Sequence, residues 1–96
     1  ITDIVNDSDA YYTFASDYIK NIAEEKQNAG DFSLYSDYAS TISSTVKDDG
    51  RWYLTDTGLK ILFEADEIVY FTYGAQSVEI PYSELTSYLK AEYIPQ

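Results

Sequence analysis

The feature that most constrains this chain is a change of hydrophobic period close to residue 50. Before it, apolar residues recur every three or four positions; after it, they alternate or run together. A chain of this kind must bury a helical stripe against a strand face. We therefore expect an α+β fold. A long N-terminal helix and a second helix pack on a small, mainly antiparallel sheet, and a short C-terminal helix closes the chain. At 96 residues the chain lies near the lower end of what folds on one core, so one domain over residues 1–96 is expected. It opens on Ile1 without Met and reads as a piece of a longer protein.

In the first half, the run from Asn6 to Gly30 carries Tyr11, Phe14, Tyr18 and Ile22 on one helical face, with Ala15, Ile19 and Ala23 beside them. Asp7 or Ser8 can cap its start, and Gly30 can stop it. Tyr35, Tyr38, Ile42 and Val46 repeat the spacing and predict a second helix from about Leu34 to Lys47. In the second half, Trp52 and Leu54 share one face of a first strand, and Leu59, Ile61 and Phe63 one face of a second. Thr55, Asp56, Thr57 and Gly58 between them are hairpin chemistry: Asp can bond the backbone ahead and Gly can take a positive φ. Val78 and Ile80 point inward from a third strand that Pro81 ends, and Ser83 can cap a closing helix through Leu85, Tyr88 and Leu89.

The chemistry open to the chain is narrow. It has no Cys and no His, so disulfides, imidazole catalysis and the usual zinc sites are excluded, and no cofactor motif is present. Missing cysteine does not assign a compartment, because many exported proteins of Gram-positive bacteria lack it. Seventeen acidic residues against six basic ones give a net charge of −11, which repels nucleic acid and anionic lipid and favours a basic partner or solubility. No apolar run reaches the roughly 18 residues of a membrane span. Eleven Tyr, four Phe and one Trp supply a rich core, and many Tyr rings should sit half in water.

Asp56-Thr57-Gly58 is also the tripeptide of aspartic proteases, where two carboxylates share one proton. One copy suffices only across a two-fold axis, in a fold that is almost all β and rich in glycine. This chain opens with a helix and has four Gly, so we read Asp56 as a turn residue and the chain as no enzyme. Glu64, Asp66 and Glu67 lack the order of a calcium loop, and no metal site is expected. Spacing alone singles out no carboxylate pair for glycoside hydrolysis.

Taken together, the segments from Trp52 to Phe63, from Asp66 to Gly74 and from Val78 to Leu89 resemble a known family. It is the C-terminal domain of RsiV-type anti-sigma factors, which also forms the non-catalytic part of some peptidoglycan deacetylases. Tyr53, Leu54, Thr55, Gly58 and Leu59 match its first block, and Glu67, Ile68 and Gly74 its middle. Ile80, Pro81, Tyr82, Ser83, Glu84 and Leu85 match its last. The opening Ile1 to Val5 is similar to the short acidic motif that precedes the family's long helix. The resemblance implies an extracytoplasmic domain at the cell envelope of a Gram-positive bacterium. It also implies sensing of lysozyme by direct binding, and lysozyme is a basic protein that an acidic surface would attract.

The expected contact segment is the irregular stretch from Glu64 to Tyr73, since loops on a rigid scaffold carry most recognition. Tyr70, Phe71 and Tyr73 would anchor a partner, and Glu64, Asp66 and Glu67 would steer it. In this stretch the chain lacks both prolines typical of the family, which implies a differently shaped loop. The other function considered is a module for cell-wall glycan that uses exposed Tyr rings as stacking platforms.

Overall fold

The structure is a computed structural model that describes residues 1–31, 33–64 and 76–94. Helix α1 runs Ser8–Asn28. Of the two capping candidates Asp7 does the work: its Oδ1 accepts from the Ala10 N–H at 3.2 Å. The helix stops where Gly30 takes φ +86°, a left-handed value that only glycine adopts without strain. The Gly30 N–H then reaches the Gln27 carbonyl, and the Asp31 N–H the Lys26 carbonyl, at 3.0 and 2.9 Å. That is a Schellman closure, in which the last carbonyls find donors. The buried row is Tyr11, Ala15, Ile19 and Ala23, so the helix is turned slightly from the expected face, with Phe14, Tyr18 and Ile22 half-buried.

Helix α2 covers Tyr38–Val46, shorter at its start than the sequence pattern predicts. The reason lies in the competing bonds just before it. The Leu34 N–H is taken by the Gln27 side chain at 2.8 Å, and the Tyr38 N–H by the Tyr35 carbonyl at 3.2 Å. The stretch before α2, with a turn at Ser36 and Asp37, is thus tied to the end of α1. Ile42 and Val46 face the core, and the Tyr38 hydroxyl donates to Glu24, linking the two helices. That acceptor also pushes ionisation of the Tyr38 hydroxyl up.

Strands β1 (Trp52–Leu54), β2 (Gly58–Phe63) and β3 (Gln76–Pro81) form an antiparallel sheet in that order. Leu54 faces Leu59, and Leu59 faces Ile80, which brings the apolar faces into register. Leu59, Ile61, Phe63 and Ile80 bury their side chains with those of α1 and α2, giving the α+β layering expected. The one-turn helix α3 (Tyr82–Leu85) follows at once. Ser83 does not cap it. Pro81 occupies the cap position with no side-chain bond, because the Gly58–Pro81 pairing persists to the end of β3 and the Tyr82 N–H goes to the Thr57 carbonyl.

Sequence spacing gave no strand partner for residues 1–5. Val5 nonetheless bridges Leu89, with the Asn6 N–H to the Tyr88 carbonyl and the Lys90 N–H to the Ile4 carbonyl, each at 2.8 Å. Ile1, Ile4, Val5 and Leu89 are all buried there. This short two-stranded clasp ties the two ends of the described chain together.

Candidate functional site

The Asp-Thr-Gly turn holds the densest set of side-chain hydrogen bonds in the described residues. Thr55, not Asp56, organises it: its Oγ1 accepts from the Thr57 and Gly58 N–H groups at 3.2 and 3.1 Å. The Thr55 and Thr57 hydroxyls also donate to the Glu79 carboxylate on β3, at 2.7 and 2.9 Å. Those two bonds, Thr55 first, hold the Glu79 carboxyl below its ordinary range; burial opposes them, and Lys60 assists least. Tyr82 completes the set by donating to the Thr55 carbonyl at 2.5 Å. Asp56 is exposed at the tip.

Gly58 serves a different need from the one expected. Its φ is not left-handed, but a Cβ there would lie 2.3 Å from the Ile80 carbonyl oxygen. Close approach of two strand backbones is what excludes a side chain. The resemblance residues Thr55, Gly58, Ile80, Pro81 and Tyr82 thus meet in one hairpin clamp, and each has a structural task.

Most of the candidate contact segment, including Asp66, Glu67, Tyr70, Phe71 and Tyr73, lies outside the described residues. Glu64 is described: it is exposed, with its carboxylate 3.9 Å from the Arg51 guanidinium. Arg51 also stands 3.8 Å from Asp48. Glu64 is therefore a partly neutralised charge.

An open concavity lies on the outer side of α1. Its geometry follows from spacing. Residues four apart on a helix form ridges, and three ridges run side by side along α1. Tyr11, Ala15, Ile19 and Ala23 face the core. Next to them Ala10, Phe14 and Tyr18 form an apolar ridge, dipping where Ala10 has only a methyl group. Beyond it Asp9, Thr13, Asp17 and Asn21 form a polar ridge. Tyr88, held by its carbonyl bond to the Asn6 N–H, lays its ring on Phe14 with centroids 4.3 Å apart and planes 14° apart. Phe14 is in turn 5.8 Å from the Tyr18 ring. The result is an open groove of about 650 Å³, with an aromatic floor and a rim carrying Asp9 and Asp17.

No Lys or Arg lines this groove, and neither rim carboxylate has an ion-pair partner among the described residues. Glu84 acts on the same region: burial first and then Glu84 push ionisation of the Tyr18 hydroxyl up. Among the described residues no cluster of three acidic side chains is placed to hold a metal ion, and no helix is long and apolar enough to cross a membrane.

A family model matches residues 2–83, from the acidic opening segment through the start of α3. The chain belongs to that family, which is described as a protein of unknown function, DUF3298. Comparison with curated proteins and with solved structures gave no significant match.

Proposed function

We propose that this chain is a non-enzymatic binding domain of the extracytoplasmic face of a Gram-positive cell. In this reading it works like the sensing domain of RsiV-type anti-sigma factors, and its partner is a basic protein such as lysozyme. The observation that carries the reading is charge without compensation on an aromatic surface. The chain carries −11 overall, and two carboxylates with no ion-pair partner among the described residues rim the α1 groove. Membership of the DUF3298 family and the matched residues Tyr53, Leu54, Thr55, Gly58, Leu59 and Ile80 to Leu85 support it. Opposite charge of this kind acts mainly through the association rate and its dependence on salt.

Titrating the whole chain with lysozyme at low and at physiological salt tests the proposal. The expected result is saturable binding that weakens as salt rises; no binding at either ionic strength overturns it. The alternative reading, a cell-wall glycan module, draws on the stacked Phe14 and Tyr88 rings beside the hydrogen-bonding Thr13 and Asn21. Retention on purified cell wall at salt that abolishes charge-driven binding would select that reading.

A further inference from the structure

We propose that the α1 groove is the docking site for basic side chains, arginine above lysine, of a protein partner. The claim rests on the reading of the partner as a basic protein and moves the contact surface away from the 64–73 segment. Three observations carry it. The floor is aromatic, with the Phe14 ring stacked on Tyr88 and beside Tyr18. The rim carboxylates of Asp9 and Asp17 are exposed and unpaired among the described residues. Among the described residues no Lys or Arg lines the groove to compete for either.

A planar guanidinium can stack on a ring while its N–H fork reaches a carboxylate, which an ammonium does less well. Asp9 and Asp17 are eight residues apart on one helix, or about 12 Å at a rise of about 1.5 Å per residue. One side chain cannot satisfy both. The groove therefore fits two basic side chains, one at each end, with the stem or plane of each lying on the rings between. A neutral sugar would cover the rings and leave both carboxylates without a counter-charge. An anionic ligand would be repelled by them.

The test uses the whole chain and two probes, an acetylated and amidated hexa-arginine peptide and lysozyme. Amide shifts on peptide titration are expected at Asp9, Thr13, Asp17, Asn21 and Tyr88. The double variant Asp9→Asn/Asp17→Asn is expected to weaken peptide binding roughly tenfold, as two lost charge pairs imply. Asp31→Asn/Asp56→Asn removes the same net charge from exposed positions elsewhere and is expected to change binding less than about twofold. Tyr18→Leu keeps the apolar contact but loses the ring face, and is expected to weaken arginine more than lysine peptide.

Equal losses in the two double variants would mean diffuse attraction and overturn the assignment. So would shifts confined to residues away from α1, or groove shifts given by a chitin oligosaccharide but not by the peptide. If the peptide occupies the groove and lysozyme does not bind at all, the groove stands and the lysozyme reading falls. If lysozyme binds and the Asp9/Asp17 variant binds it as the control does, the proposed function stands and the groove falls.

Discussion

Tyr11 is fully buried on the inner ridge of α1, yet its hydroxyl has no hydrogen-bond partner among the described residues. Burial, with Tyr12 adding to it, pushes its ionisation above the ordinary phenol range, so the group stays neutral and unpaired. A buried hydroxyl in that state costs roughly 1–3 kcal/mol in lost solvation. Tyr11→Phe keeps the ring packing and is expected to stabilise the fold by about 1 kcal/mol. The measurement is the urea midpoint at unchanged slope, and a lower midpoint would mean the hydroxyl is satisfied. At this scale the sequence hid most of the candidate site. Asp9, Thr13, Asp17 and Asn21 at spacing four look like any solvated helix edge. Their partner ring, Tyr88, comes from the far end of the chain, and local periodicity carries no record of such a pairing. Phe14 and Tyr18 did stand out, but as core residues, and the rotation of α1 is what leaves them half exposed.

The stability of the hairpin should respond directly to acid. Glu79 clamps the β1–β2 turn through the Thr55 and Thr57 hydroxyls, and its folded carboxyl titrates below the ordinary value of 4.5. A group depressed in this way stabilises the fold above its unfolded value. It loses that contribution as pH falls through the folded value. Glu79→Gln should therefore melt at a lower temperature than the native chain at neutral pH. The difference should close as pH is lowered below 4.5, checked by thermal melts across the range. A difference that stays constant with pH would assign the loss to packing of the side chain. Elements were also where sequence reading went furthest. The period change, Asp7, Gly30 and Pro81 are local signals, and α1, the β1–β2 hairpin and the end of β3 follow from them. The misses share one cause. Ser83 loses its cap role because the strand pairing of Pro81 dictates where α3 begins, and the Val5–Leu89 clasp joins residues too distant for any window to connect.

For the whole molecule, charge sets folding and binding against each other. Eleven uncompensated negative charges repel one another within a body about 38 × 22 × 20 Å. At about 10 mM salt the screening length is roughly 30 Å, so nearly every pair of carboxylates interacts; at 150 mM it is about 8 Å, and only neighbours do. Among the described residues the ion pairs that would oppose this trend are few: the Ile1 amino group stands 2.6 Å from Asp49, and Arg51 3.8 Å from Asp48 and 3.9 Å from Glu64, with all three carboxylates exposed. Exposed pairs contribute about 0–1 kcal/mol, less than the repulsion relieved. Thermal unfolding between 10 and 150 mM sodium chloride is therefore expected to shift upward, while binding of a basic partner over the same range weakens. Opposite signs separate the two effects in one experiment: loss of binding at high salt could not then be blamed on loss of fold. A midpoint that instead falls with salt would mean that attractive pairs outweigh the net charge. In that case the acidic surface would be internally compensated, and the electrostatic case for a basic partner would lose its basis.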